Sequence, residues 1–266
     1  MRKHLLLSLA TCASLLLTGC THNQYQRKEV KVSLAREFNP NQLDAQAFEI
    51  PMPVYSVIYQ PLVIYGKNGK IEPGLAKSWK VSNNGKDYTF HLKHGIQFND
   101  GSTFDAKAVK FSIERAKATD KTNPMETLDK LKSVDVKDNY TVDIHLKAPS
   151  NQVLNELSQI RPLRIMSPHA VKDGKITGKF EKAIGTGPFK VADSTNETVT
   201  FKPNPYYHNS HPLDYDLTFQ TIEDSDSRHL AMESHSIDIT GGSLGHLTPQ
   251  QIKESYRNQD LKVKQY

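Results

Sequence analysis

Two groups of residues have the types and spacing that chemistry needs. Gly241-Gly-Ser-Leu-Gly245 matches G-x-S-x-G, the tight turn that lifts a serine hydroxyl above a sheet for acyl transfer. A hydrolase of that kind needs an acid and then a histidine further along the chain. Only His246 follows Ser243, and no later histidine exists, so the match is read as fortuitous and no enzymatic activity is expected. Eleven histidines raise the question of a metal. His208 and His211, like His91 and His94, stand three apart on segments that read as extended, which turns the rings to opposite faces. With no His-x-x-x-His helix and no cysteine beside them, a cage of protein ligands for a resident metal is not expected.

The elements that must position any site are legible in the residue pattern. Tyr88, Phe90 and Leu92 alternate with Thr89, His91 and Lys93, the period of a half-buried strand. Asn84-Gly85 before it supplies left-handed positions for a tight turn, and Asn99-Asp100-Gly101 supplies a second. Thr103 or Asp105 then caps a helix on which Val109, Ile113 and Ala116 form one apolar stripe. Val30, Val32 and Leu34 begin the first strand, and Asn39-Pro40-Asn41 breaks it. Pro51 and Pro53 argue against an early helix, leaving residues 54–58 to begin one that Pro61 stops. A short helix over 125–131 is followed by a strand carrying Val142, Ile144 and Leu146, entered through a hairpin turn at Asn139. Ser150 caps a helix to Leu157, and a short apolar segment at 163–166 is closed by Pro168. Strands are predicted at 189–192, 199–202 and 213–222. A helix capped by Ser225 or Asp226 runs to Glu233, with a buried strand at 237–239 after it. A helix with Thr248 as cap and Pro249 at its first position leads to a final strand at 261–263. The predicted fold class is α/β with mixed sheets and flanking helices.

The ends and the composition bound the rest. Arg2, Lys3 and His4 precede an apolar run over 5–17 that is too short to span a bilayer stably, the mark of a processed leader. It closes in Leu17-Thr18-Gly19-Cys20, which resembles a bacterial lipobox. Cleavage before Cys20 and diacylglycerol on its sulfur are the expectation, giving an extracytoplasmic protein tethered to the membrane by lipid. Residues 1–19 are then leader and 20–29 a polar tether. Cys12 leaves with the leader, so no intramolecular disulfide is available. The net charge of +5 falls by the two cations Arg2 and Lys3 on cleavage, an ordinary solubility margin that excludes a nucleic-acid footprint.

Several words of this sequence, in order, are similar to those of the family 5 extracellular solute-binding proteins of nickel and peptide importers. They are Tyr59-Gln-Pro-Leu62, Pro73-Gly-Leu-Ala-Lys-Ser-Trp79, Phe98-Asn-Asp-Gly-Ser-Thr-Phe-Asp-Ala-Lys-Ala-Val-Lys-Phe111, Ile184-Gly-Thr-Gly-Pro-Phe-Lys190, Asn204-Pro-Tyr-Tyr207, Asp224-Ser-Asp-Ser-Arg228 and Ser236-Ile-Asp-Ile239. Two departures are visible: His208 where tryptophan is frequent nearby, and Ser236 where glycine commonly precedes Ile-Asp. The resemblance implies a periplasmic-binding-protein-like lobe I, with 30–58 and 168–266 as its main part and 59–167 as an inserted subdomain. It also implies that the second lobe is missing, and with it one face of the cleft, as in a truncated product.

The same resemblance supplies ligand candidates. Arg161-Pro-Leu-Arg-Ile-Met-Ser-Pro168 is similar to a segment of the nickel-binding branch whose first arginine holds a carboxylate of the metal's chelator, a task that suits the rigid guanidinium fork. The other reading of Arg161 is a structural arginine. Met52 falls near the cleft in that branch, and Gly241 and Gly242 let a loop pass close to it. An aromatic of that branch's pocket, expected around Met125-Glu126, is absent. The implied role is a monomeric, lipid-anchored substrate receptor that delivers to ABC permease subunits. Its cargo would be nickel inside a small-molecule metal chelate or, alternatively, a di- or oligopeptide, and the remaining alternative is a non-functional truncated remnant; nickel enters as cargo only, and no cofactor is expected.

Overall fold

The computed structural model describes residues 28–36, 38–39, 42–47, 51–119, 125–195, 197–208 and 213–264. The leader, Cys20, most of the tether and Pro40-Asn41 lie outside the described residues. Strand β1 (Lys28–Leu34) starts two residues before the alternation predicts, and Val32 and Leu34 are buried. It pairs in parallel with β10 (Tyr215–Thr221), setting Val30 against Leu217 and Val32 against Phe219. Strands β9 (Thr198–Pro203) and β8 (Phe189–Ser194) complete this sheet antiparallel, in the order β1-β10-β9-β8. Phe201 and Phe219 meet edge to face at 5.7 Å between centroids, the arrangement their ring quadrupoles favour.

A second, wholly antiparallel sheet has the order β4-β5-β7-β6, from β4 (Ala76–Ser82), β5 (Asp87–Leu92), β6 (Leu131–Asp138) and β7 (Thr141–Leu146). Its register places Phe90 opposite Val142 and Tyr88 opposite Ile144, so the two alternating apolar sets share one face. The β4–β5 turn uses Asn84 and Gly85 at φ 53° and 86°, as the dipeptide predicts. Helix α2 (Ala106–Thr119) lays Val109, Ile113 and Ala116 into the core, all fully buried. Its start is capped by Asp105, whose Oδ1 accepts the Ala108 amide at 3.0 Å. A two-stranded ribbon of β2 (Val63–Tyr65) and β3 (Ile71–Pro73) and the short helices α3 (Glu126–Lys130) and α4 (Val153–Leu157) fill the edges. Buried side chains of both sheets form one continuous cluster.

Several local expectations are corrected. Helix α1 spans Met52–Ile58 despite the prolines: Pro53 sits in the first turn, where its missing N–H is spare. Ser150 is not the cap of α4; its Oγ accepts the Gln152 amide one turn earlier. Helix α5 (Ser225–Glu233) is capped by Asp224, through Oδ1 to the Ser227 amide at 2.8 Å, rather than by Ser225 or Asp226. The predicted strand at 237–239 reduces to a single parallel bridge between Val32 and Ile239, with Ile237 buried and Ile239 exposed. The left-handed residue in the turn before it is His235, at φ 57°. Helix α6 (Pro249–Arg257) carries the capping box expected of Thr248, closed reciprocally by Gln251. The segment 261–263 is not a strand and pairs with no described strand.

Candidate functional site

Helix α1 is the hub. Its C-terminal carbonyl, on Ile58, accepts the Gly187 amide at 2.8 Å. A Cβ on Gly185 would stand 2.1 Å from that oxygen and one on Gly187 2.6 Å, so the Gly-Thr-Gly-Pro word exists to let backbone lie on backbone. Just beyond α1, Tyr59 is buried and donates from its hydroxyl to the Leu43 carbonyl at 2.6 Å. Burial, then the nearby Asp44 carboxylate, push that phenol well above its usual range.

Arg161 lies, half-buried, on the segment that follows α4 and precedes a cis bond to Pro162. This segment is fastened to the stretch after α1. Arg164 donates to the carbonyls of Tyr59 (3.1 Å) and Gln159 (3.0 Å), the Ile165 amide to Gln60 (3.1 Å), and Gln46 Nε2 to the Arg164 carbonyl (2.9 Å). Burial lowers Arg164 to about 10 without neutralising it at neutral pH. Arg164 thus carries framework bonds. Met52 opens α1 and is 48% exposed.

The short 3-10 turn Gly242–Leu244 packs against α1 and β1. Gly241, Gly242 and Gly245 have φ of 93°, 57° and 155°, values that only glycine adopts at low cost. The segment before the turn is held by the Asp238 and Ile239 amides on the Lys31 carbonyl, and the turn's end by the Ala35 amide on the Leu244 carbonyl at 2.7 Å. Nothing lies within 4 Å of where a Gly242 Cβ would be. Gly241 and Gly242 also line a cavity of about 620 Å³, with His229, Asp238, His246 and the 260–264 segment. The structure thus gathers Met52, the glycine pair and the anchor of the Arg161 segment around one helix. Neither Met52 nor Arg161 lines the 620 Å³ cavity. Leu261 and Val263, predicted as strand, are part of its wall.

The competing chemistries find no support in the geometry. Ser243 occupies a three-residue 3-10 turn rather than a strand-to-helix elbow, and no histidine hydrogen-bonds to it among the described residues. His94 is stacked on Tyr140 at 3.9 Å, and no group of three metal-ligating side chains occurs among the described residues; His211 lies outside them. No described helix is long and apolar enough to cross a membrane.

In this mixed α/β lobe the glycine turn packs against the hub helix, and the arginine segment is fastened just beyond its end. The family described as bacterial extracellular solute-binding proteins, family 5, matches over residues 70–266. The chain belongs to that family, whose members bind solutes rather than transform them. It is 31% identical over 212 residues to the nickel-binding periplasmic protein of Escherichia coli K12, covering 79% of this chain and 39% of that protein. It is also 31% identical over 191 residues to the probable D,D-dipeptide-binding periplasmic protein DdpA of the same strain, covering 68% of this chain and 37% of that one. The crystal structure of NikA from Brucella suis in complex with Fe(III)-EDTA superposes with a TM-score of 0.78 at 31% identity, over 85% of this chain and 46% of that one. The chain spans less than half the length of the relatives it matches.

Proposed function

We propose that this chain forms one wall of the substrate cleft of an ABC importer's receptor, and that its cargo is nickel carried in a small chelate. The observation that carries the reading is the half-buried Arg161 on a segment fastened by Arg164 to the stretch just after α1, the helix against which the glycine turn also packs. A fixed guanidinium suits a chelate whose outer atoms are carboxylate oxygens. Likeness to a nickel-binding relative and to NikA supports the choice of cargo. The lipid tether at Cys20, an extracytoplasmic location, a monomeric state and delivery to permease subunits belong to the same proposal. So does the division into a main part at 30–58 and 168–266 with 59–167 inserted. One wall of a cleft that works by domain closure binds weakly by itself.

Titration of the 15N-labelled chain with the nickel–histidine chelate tests this, because paramagnetic Ni(II) broadens nearby amide resonances. Broadening centred on Gly241, Gly242 and Arg161, reduced in Arg161→Ala, is the expected result. A second reading, a short peptide as cargo, is favoured by the equal identity to the dipeptide-binding relative. Shifts of the same resonances with a D,D-dipeptide, and none with the chelate, would replace nickel by peptide.

A further inference from the structure

Arg228 has no part in the cleft wall itself, yet it is the most heavily bonded side chain behind the glycine turn. It lies in the first half of α5 and is 3% exposed. Its Nη1 donates to the carbonyls of Ile222 (2.8 Å) and Glu223, and its Nη2 to the carbonyl of His246 at 2.8 Å. One side chain therefore joins the entry of α5 to the exit of the glycine loop. The helix does not need it for its own start, because Asp224 already caps the Ser227 amide. Gly245 passes directly over the guanidinium: a Cβ there would stand 2.9 Å from Arg228 Nε and 2.6 Å from Ala35 Cβ. The absence of a side chain at 245 is what lets loop and guanidinium meet.

The loop owes its shape to a small set of hydrogen bonds. Three left-handed glycines within five residues give it large freedom when unanchored. Around Gly242 the space is open. Its restraints are the Asp238 and Ile239 amides on Lys31, the Ser33 hydroxyl on Thr240, the Ala35 amide on the Leu244 carbonyl, two amide hydrogen bonds within the turn, and, at its exit, Arg228 on His246. We propose that Arg228 is a positioning residue, one that fixes the backbone of residues 241–246 so that Gly241 and Gly242 present their peptide groups to the ligand. The proposal rests on the reading of the glycine pair as ligand-facing, and it adds the device that holds them. Lysine cannot replace it, since one ammonium lacks the planar fork that reaches carbonyls on two separate segments.

Hydrogen exchange on the full chain, compared for Arg228→Lys and Arg228→Met, is the test. The amides of Leu244 and Gly245, bonded to Gly241 and Gly242 carbonyls at 3.1 and 3.3 Å, are the reporters. Exchange at these amides should rise about tenfold, the scale of one lost hydrogen bond to a charged group, with protection in β5 and α2 unchanged. The chelate titration should weaken in parallel, by a similar factor. Unchanged loop exchange in Arg228→Lys overturns the positioning role whatever the ligand does. Faster loop exchange with undiminished chelate binding also overturns it, because the loop's shape then does not matter to the ligand. A wild-type chain that gives no response to chelate or dipeptide overturns the proposed function instead, and the exchange comparison still decides whether Arg228 holds the loop. Should Arg228→Met fail to fold, the lysine variant carries the test alone.

Discussion

Arg161 and Arg164 stand three residues apart on one segment. Arg164 donates to the carbonyls of Tyr59 and Gln159, so removing it leaves the part-buried Tyr59 acceptor without that bond. Arg164→Met should cost about 2–3 kcal/mol in urea unfolding, the loss of charged hydrogen bonds in a buried place. Under the proposed cleft role, Arg161→Ala should weaken the ligand response in the chelate titration. His235 offers the opposite sign. It is an exposed residue held at φ 57°, and a left-handed conformation costs an L-residue about 1–2 kcal/mol, part of which glycine's entropy returns. His235→Gly should stabilise by about 0.5–1 kcal/mol in thermal or urea unfolding. Asp100 supplies a pH signature. Burial opposes its ionisation, but hydrogen bonds from the Ser102 hydroxyl and amide, and from His169, outweigh burial and hold the carboxyl below its usual 3.8. A depressed carboxylate stabilises above its unfolded value and loses that contribution as pH falls through its folded one. The stability gap between the wild-type chain and Asp100→Asn should therefore be full at pH 5 and close as pH drops below 3.8.

At the level of elements, the close approach of the 185–187 backbone to α1 is the least forgiving contact. Gly187→Ala would drive a methyl into the Ile58 carbonyl and Val57 oxygen, backbone atoms that cannot step aside. A loss of about 3 kcal/mol or more is expected in denaturant unfolding, against near-normal folding for a comparable change in an open loop. The legibility of the sequence divides in the same way, between local and distant partners. Asn84-Gly85, the stripe of α2, the alternation of β5 and β7 and the cap of α6 are set by neighbours within a few residues, and all are legible. The segments at 237–239 and 261–263 have strand composition, but a strand needs a facing edge, which composition does not reveal. Pro53 misleads because a proline forbidden inside a helix is welcome in its first turn. For the candidate site, the glycine pair can be found from its spacing, whereas Arg228 cannot. Its partners are three backbone carbonyls, which leave no mark in the residue pattern.

Across the whole molecule, the two sheets do not have separate interiors. Phe90 and Ile144 of one belong to the same buried cluster as Leu34 and Phe201 of the other. A shared core makes unfolding cooperative. Trp79, the only tryptophan, sits in β4 and packs against that cluster, so its fluorescence reports on the second sheet. Its urea transition should coincide with that of far-ultraviolet circular dichroism, and two separated midpoints would show independent units. The parallel pairing of β1 with β10 has a consequence for the order in which the chain can fold. Lys28 meets Tyr215, 187 positions later, so β1 has to wait for β10 before it finds its partner. Closing so long a loop is slow, and the β4-β5-β7-β6 sheet, whose partners lie close together in sequence, is placed to form first. Until then the emerging N-terminal strand remains an unpaired tail, open to whatever handles newly made chains.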